Sequence, residues 1–167
     1  MTENDFIDRL KDFSIFSDIA EDDIKLRQIA AVMKARSAKK GDYLFGEGDE
    51  GDELFLLIKG MVRVIKHTKQ EEEYTIVDLE ASYNVFFGEM ALMDQDVRSA
   101  SILVLEDSEF LVLNRKDFIE LGDKFPDIGL PITRTINKIL IDRLRNVNND
   151  VILLFDALVD EIQTNHL

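Results

Sequence analysis

The spacing of apolar residues divides the chain into a helical start, a strand-rich middle and a helical end. Phe6, Leu10 and Phe13 recur at helical spacing and predict a short amphipathic helix over about residues 3–13. A second helix is predicted over about residues 21–34, because its first turn is acidic and negative charge there favours the helix dipole. We therefore expect a helical segment ahead of the rest of the fold.

From residue 35 onward, short apolar segments alternate with turns that contain glycine. Gly41 and Gly60 fall between such segments, where glycine permits a tight turn. Many short strands separated in this way are typical of an all-β sandwich or barrel. The predicted strands cover residues 43–45, 53–59, 61–66, 98–105 and 109–113, with an alternating strand around residues 74–79.

A long helix is predicted after residue 125, although Gly129 and Pro131 could interrupt it. Its apolar residues fall at alternating spacings of four and three, which indicates a coiled-coil seam over about three heptads. Two interpretations fit this seam: the helix forms a homodimer, which we favour, or it packs back onto its own domain. Further apolar residues make the face broader than that of a simple two-stranded zipper. The seam comprises Leu140, Leu144, Val147, Val151, Leu154 and Leu158, and the broader face adds Ile152, Leu153, Phe155 and Ile162.

Composition limits the classes of protein that the chain can represent. Its 167 residues suffice for one domain with a core and an appendage, and 46% hydrophobic residues are typical of a folded globular protein. A net charge of −14 disfavours direct binding to nucleic acids and anionic membranes. The absence of cysteine excludes disulfides, thiol catalysis and zinc–cysteine sites. No signal peptide or transmembrane run is recognisable, so a soluble, cytoplasmic protein is expected.

Residues 86–101 combine groups that suit an anionic ligand. Gly88 permits close approach of the backbone, and the short helical turn predicted after it would present free N–H groups to an anion. Arg98 could direct two hydrogen bonds onto oxygens of the same anion. Because the protein is acidic, an anionic ligand needs such a local cation. Glu89 would repel an anion but could accept hydrogen bonds from sugar hydroxyls.

This stretch resembles the phosphate-binding cassette of the cyclic nucleotide-binding domain family, which opens with Gly-Glu-hydrophobic-Ala and closes with Arg-(Ser/Thr/Ala)-Ala. The resemblance extends over about residues 13–145. It implies that Arg98 binds the cyclic phosphate and that Glu89 binds the ribose 2′-hydroxyl. It also implies that the amides of Ala91 and Ser99 complete the phosphate shell. The implied ligand-binding residues are Phe87, Gly88, Glu89, Met90, Ala91, Arg98, Ser99 and Ala100.

The resemblance leaves the base open between cAMP and cGMP. Ser99 could reach the amino group of guanine, yet some cAMP-binding relatives also carry serine there. Asn146, Asn148 and Asn149 on the long helix are candidates for a cap over the base, with a helix end or kink as the alternative. In related regulators the same helix forms the dimer and covers the base.

Two departures from the family pattern precede the candidate arginine. Residues 79–89 lack the usual Gly-Asp turn and form a longer connection, and Asp96-Val97 replaces the usual proline before Arg98. The altered connection favours a second hypothesis, in which the chain is a scaffold or interaction module with a vestigial pocket. A third hypothesis, a regulator that contacts DNA through a partner, is disfavoured by the negative charge and by the lack of a basic helix-turn-helix segment.

The expected fold is mainly β: an eight-stranded antiparallel β-roll (a jelly roll or double-stranded β-helix) with N-terminal helices and a long C-terminal helix. Its expected segments are residues 1–34, 35–113 and 114–167. The expected function is a sensor of cAMP or cGMP that signals through the C-terminal helix or a partner protein. We expect no catalytic residue, metal or cofactor, because no catalytic pair or histidine cluster is recognisable and acidic residues 47–53 lack the spacing of a calcium-binding loop.

Overall fold

The computed structural model describes residues 3–68, 72–94 and 97–164 of the chain. Two helices precede the strands, as the spacing of apolar residues predicts. The second helix is capped by Asp22, whose carboxylate accepts hydrogen bonds from two amides of the first turn, both at 3.1 Å. The helices are α1 (Glu3–Lys11) and α2 (Asp23–Val32), joined by a 3₁₀ segment (Ser14–Ile19).

The described residues contain eight strands, β1 (Lys34–Ala38), β2 (Tyr43–Phe45), β3 (Glu53–Lys59), β4 (Met61–His67), β5 (Glu73–Glu80), β6 (Phe86–Phe87), β7 (Ser101–Val104) and β8 (Ser108–Asn114). They form two antiparallel sheets with the orders β1-β8-β3-β6 and β2-β7-β4-β5. This arrangement confirms the predicted antiparallel β-roll. The strand predicted from residue 98 begins instead at Ser101, because the backbone of Arg98 bonds to Gly48 and Asp49 in the loop after β2.

Strand β3 separates two hydrophobic cores, because successive side chains of a strand point to opposite faces. Leu54 and Leu56 pack among the helices, whereas Phe55 faces the space between the two sheets. There the ring of Phe55 stacks on Phe87 with centroids 5.5 Å apart and meets Phe110 edge-on at 6.0 Å. Because Phe87 also belongs to the stretch that resembles the phosphate-binding cassette, this aromatic cluster anchors the candidate site to the core.

The C-terminal part consists of α4 (Arg115–Lys124) and α5 (Pro126–Thr164). With 39 residues, α5 is one continuous helix about 58 Å long at 1.5 Å per residue. The interruption considered near Gly129 and Pro131 does not occur. Pro131 is the sixth residue of the helix, where its missing N–H removes a single backbone hydrogen bond close to the helix start.

The two halves of α5 have different surroundings. Ile128, Ile132 and Ile136 are buried against the body of the protein, whereas most apolar residues from Ile141 onward are exposed. The helix therefore packs on its own domain at the start and leaves it in the second half. No helix within the described residues is long and apolar enough to cross a membrane.

Helices α4 and α5 touch through their backbones at a pair of glycines. A Cβ added at Gly129 would lie 2.6 Å from Cα of Gly122, whereas a Cβ at Gly122 would lie 3.4 Å from Cα of Gly129. We expect Gly129→Ala to be less stable than Gly122→Ala by about 1–3 kcal/mol, the usual cost of overpacking. Urea unfolding of both variants measures this difference, since both gain about the same 1 kcal/mol of helix propensity. Equal stabilities would contradict the close contact.

Candidate ligand-binding site

A cavity of about 410 Å³ lies between the β4–β5–β7 side of the roll, the short helix α3 (Met90–Met93) and α5. It brings together every residue for which the resemblance implies a ligand contact in the cassette. The cavity-lining residues from that set are Phe87, Gly88, Glu89, Met90, Ala91, Arg98, Ser99 and Ala100. The sequence motif and the cavity thus coincide, although the binding role of each residue stays a prediction.

Arg98 is a buried cation at one end of this cavity, with 7% of its surface exposed. Its Nη1 donates a hydrogen bond to the carbonyl of Glu53 at 2.9 Å, and Cζ lies 4.1 Å from the centroid of the Phe45 ring. Its Nε is buried without a hydrogen-bond partner among the described residues. A buried donor without a partner is costly, so an anion that accepts from Arg98 would remove this cost.

The electrostatic surroundings of Arg98 are mixed. Burial lowers the pKa of its guanidinium, whereas the nearby carboxylates of Glu53 and Asp52 oppose that shift. Arginine stays charged at neutral pH even so, because its ordinary pKa lies far above neutral pH. A cation that has already lost much of its hydration attracts an anionic group more strongly than one in bulk water.

The acidic loop after β2 holds the backbone of Arg98. The amide of Arg98 donates to the carbonyl of Asp49 at 2.7 Å, and the carbonyl of Arg98 accepts from the amide of Gly48 at 2.8 Å. The loop therefore positions Arg98 through backbone bonds. No cluster of three or more potential metal ligands occurs in the part of the chain that the structure describes.

Two glycines leave the space that the side chain of Arg98 occupies. A Cβ on Gly51 would lie 2.0 Å from Nε of Arg98, which is not sterically possible. Gly88 has a φ of +78°, and a Cβ there would lie 2.7 Å from the carbonyl oxygen of Glu53 and 2.8 Å from Nη1 of Arg98. The glycines on both sides of the guanidinium are thus needed for its position.

The backbone of the cassette differs in one respect from the arrangement that the resemblance implies. The amide of Ala91 donates to the carbonyl of Gly88 at 3.1 Å, and the amide of Leu92 donates to that of Glu89 at 3.1 Å. The Ala91 amide would have to share or exchange its hydrogen bond to join a phosphate shell. The Nε of Arg98, in contrast, is a buried donor with no hydrogen-bond partner among the described residues.

Glu89 is held by a residue that the sequence did not suggest. Its side chain is 3% exposed and forms an ion pair with Nη1 of Arg143 on α5, a residue that also lines the cavity. Arg143 itself is about half exposed. In the sequence it is an arginine beside a heptad seam, which is typical of a solvated helix surface, and no motif connects it to a residue 54 positions earlier.

The candidates for a base cap lie elsewhere. Asn146, Asn148 and Asn149 are exposed on α5 and do not line the cavity. They follow Arg143 along a straight helix that rises 1.5 Å per residue, so α5 carries them about 4.5–9 Å farther along its axis. A cap formed by these residues would require α5 to move, and that role stays a prediction.

Apolar side chains of β4, β5 and β7 form one wall of the cavity. The planar, mostly apolar faces of a purine would pack well on such a wall. A hydroxyl, from Ser99, and a carboxylate, from Asp94, are also present at the lining. The apolar residues are Val64, Ile76, Val77, Leu79 and Ile102.

The unusual connection before the cassette is ordered by the N-terminal helix. The connection consists of a 3₁₀ turn (Ala81–Tyr83) followed by Asn84 in a left-handed conformation with φ of 51°. Arg9 of α1 donates to the carbonyl of Ala81 at 2.9 Å and to the side-chain oxygen of Asn84. The altered connection is therefore fixed from outside the cavity, and the cassette residues still converge on the cavity.

Comparison with known proteins agrees with this geometry. A family model described as the cyclic nucleotide-binding domain matches residues 35–125. The chain is 32% identical over 142 residues to human cGMP-dependent protein kinase 2, an alignment that covers 84% of this chain and 17% of the kinase. It is 30% identical over 145 residues to the cyclic AMP receptor protein of Thermus thermophilus, covering 87% of this chain and 63% of that protein.

Similarity extends to solved structures. The crystal structure of the catabolite activator protein of Thermus thermophilus superposes with a TM-score of 0.75 and 29% identity, over 84% of this chain and 62% of that chain. The chain thus spans about a sixth of the kinase and less than two thirds of the bacterial regulator.

Proposed function

We propose, since this chain belongs to the cyclic nucleotide-binding domain family, that its cavity binds cAMP or cGMP and that binding is signalled through α5. The observation that carries the proposal is the buried guanidinium of Arg98, which lines the cavity and whose Nε has no partner among the described residues. A cyclic phosphate carries one negative charge and two free oxygens. It would accept hydrogen bonds from Arg98 and compensate the buried donor.

The sugar and base would occupy the rest of the cavity. The carboxylate of Glu89 would accept a hydrogen bond from the ribose 2′-hydroxyl, and the apolar wall would pack on the purine. Ser99 supplies a hydroxyl that can donate or accept, so it does not select between adenine and guanine. We propose binding without catalysis, because the matched region is a binding domain and the kinase relative is far longer than that region.

The ion pair between Glu89 and Arg143 connects the cavity to α5. A ribose hydroxyl that donates to Glu89 would compete with Arg143 for the carboxylate. The ion pair that links Glu89 to α5 would then be weaker. The signal would then leave through the exposed second half of α5, which we propose to be the homodimer interface or the contact with a partner protein. The seam of apolar residues on this half supports that role.

Calorimetric titration of nucleotide-stripped protein with cAMP, and separately with cGMP, tests the binding proposal. We expect a dissociation constant in the micromolar range or below for at least one nucleotide, about −8 kcal/mol. The ratio of the two constants gives the base preference. If a folded sample bound neither nucleotide, the scaffold hypothesis with a vestigial pocket would be the better one.

Replacement of Arg143 by glutamine tests the coupling to α5. In the unchanged protein, we expect nucleotide to increase amide hydrogen exchange in α5 from Arg143 onward, because the ligand weakens the ion pair with Glu89. In Arg143→Gln, the nucleotide should still bind through Arg98 but should no longer change exchange in α5. Hydrogen-exchange mass spectrometry with and without nucleotide measures both states.

The matched control for this test is Arg145→Gln, two residues farther along the same helix. Arg145 is exposed and pairs with Asp142 at 3.0 Å within α5, so its loss should leave the response to nucleotide intact. A response that survives in Arg143→Gln, or disappears equally in both variants, would refute the proposed coupling.

A further inference from the structure

Arg98 has negatively charged neighbours as well as the cavity beside it. Three carboxylates act on its guanidinium and oppose the lowering of its pKa, those of Glu53, Asp52 and Asp49. A carboxylate that paired directly with Arg98 would act as its counter-ion and compete with an anionic ligand. The affinity of the cavity for an anion therefore depends on what else engages these carboxylates.

Two of the three carboxylates are held by neutral donors. The carboxylate of Asp52 accepts a hydrogen bond from Nδ2 of Asn114 at 2.8 Å, and that of Asp49 accepts from the amide of Gly46 at 2.6 Å. These bonds orient the two side chains but leave their negative charges uncompensated. Only a cationic partner would also compensate the charge of a carboxylate beside Arg98.

Glu53 has such a cationic partner in Arg36 of β1. Nη1 and Nη2 of Arg36 donate to the two carboxylate oxygens of Glu53, at 2.8 and 2.6 Å. Two bonds of this kind fix the direction of the carboxylate as well as pairing the charges. Neither Arg36 nor Glu53 is among the residues that line the cavity, so the pair is not placed to contact a ligand there.

The two arginines lie against one aromatic ring. Cζ of Arg36 is 5.2 Å from the centroid of the Phe55 ring, and Cζ of Arg98 is 5.7 Å from the same centroid. Glu53 precedes Phe55 by two residues in β3, so its side chain points to the same face of the strand. Its backbone carbonyl accepts from Nη1 of Arg98 at 2.9 Å. Glu53 thus contacts both guanidiniums, but gives its carboxylate to Arg36.

We infer that Arg36 is a positioning residue for the candidate site, because it engages the carboxylate of Glu53 and keeps it from becoming the counter-ion of Arg98. The charge of Arg98 is then available to a cyclic phosphate. The inference rests on the proposed function, since it concerns the affinity of the same cavity. Arg36 lies on the edge strand β1, outside the cassette, and no motif in the sequence connects it to Arg98.

Arg36→Gln tests this role by calorimetric titration with whichever cyclic nucleotide the unchanged protein binds more tightly. Glutamine cannot compensate the charge of Glu53, so the carboxylate becomes free to pair with Arg98 in the unliganded protein. The ligand must then displace a charged competitor, and we expect the dissociation constant to rise by about tenfold. The fold should persist, because the ion pair is partly exposed and such pairs contribute little stability. Thermal unfolding checks this.

Glu53→Gln distinguishes the proposed role from a general loss of structure. This substitution breaks the same ion pair but also removes the competing carboxylate, while the backbone carbonyl that accepts from Arg98 remains. We expect Glu53→Gln to bind the nucleotide at least as tightly as the unchanged protein. The double variant Arg36→Gln/Glu53→Gln should behave like Glu53→Gln and not like Arg36→Gln. A loss caused only by the broken pair would appear in all three variants.

The matched control is Arg63→Gln. Arg63 forms a similar two-bond pair with Asp78, at 2.6 and 2.7 Å, and does not line the cavity. Its dissociation constant should stay within about twofold of that of the unchanged protein. Unchanged binding by Arg36→Gln, or equal losses in Arg36→Gln and Glu53→Gln, would overturn the inference and leave the proposed function intact. If the folded, unchanged protein bound neither nucleotide, the proposed function would fail and this inference with it.

Discussion

Replacing Arg98 by alanine is expected to weaken cyclic nucleotide binding by about 100-fold or more. Two charge-assisted hydrogen bonds to a phosphate contribute about 1.5–3 kcal/mol each, and about 1.4 kcal/mol corresponds to a factor of ten. The fold should persist, because the backbone bonds of Arg98 to Gly48 and Asp49 do not involve its side chain. The substitution also removes a buried donor, Nε of Arg98, that has no partner among the described residues, and this removal favours the folded state. Calorimetry gives the affinity, and thermal unfolding checks the fold.

Two further variants make this result specific. Arg98→Lys keeps a positive charge but cannot form the paired hydrogen bonds of a guanidinium, so its affinity should fall between those of the unchanged protein and Arg98→Ala. Arg63→Ala removes an arginine that binds Asp78 at 2.6 and 2.7 Å and does not line the cavity. Its affinity should be unchanged. Equal affinities for Arg98→Ala and the unchanged protein would rule out the cavity as a nucleotide site.

Local patterns in the sequence predict an all-β domain, and the resemblance to the family adds that its strands form a β-roll. Alternation along the strands and glycines at the turns depend on neighbouring residues, and the two sheets follow that pattern. The strand predicted from residue 98 shows the limit of this reasoning. Apolar spacing could not reveal that the backbone of Arg98 pairs with Gly48 and Asp49, because that loop is distant in sequence.

The candidate site was predictable where a motif defines it, and only there. Residues from Gly88 to Ala100 share one cassette, so the spacing of Glu89 and Arg98 was enough to suggest a common cavity. Arg143 lies on another element and reaches Glu89 only through the docking of α5. The three asparagines were suggested by their helix alone, and the direction in which α5 leaves the body determines that Arg143 lines the cavity instead.

The acidic loop illustrates a different limit. Glycine between predicted strands usually serves turn geometry, and the sequence alone gives no reason to interpret Gly51 differently. Gly51, however, has a φ outside the left-handed region, so turn geometry does not require glycine there. Its role is to leave room for the guanidinium of Arg98, a contact that only the folded structure reveals.

Gly51→Ala is therefore expected to weaken nucleotide binding by about tenfold or more, although it replaces no residue that donates to the ligand. Its Cβ would lie 2.0 Å from Nε and 2.4 Å from Cζ of Arg98. The guanidinium is confined by Phe45 on one side and by the backbone at Gly88 on another, so it must give up its bond to Glu53 to move. Overpacking of this kind costs about 1–3 kcal/mol, and calorimetry measures how much of that cost appears in the affinity.

Gly46→Ala is the matched control, because Gly46 lies in the same loop and the three atoms nearest to its added Cβ would all belong to the side chain of Asp49, the closest at 3.3 Å. Its affinity should stay within about twofold of the unchanged protein, since Arg98 is not displaced. The double variant Gly51→Ala/Arg98→Ala then separates the two mechanisms. If Gly51 acts only by leaving space for Arg98, the double variant should bind no more weakly than Arg98→Ala alone. An additional loss in the double variant would mean that Gly51 contacts the ligand itself, and the assignment of the loop as a support for Arg98 would be wrong.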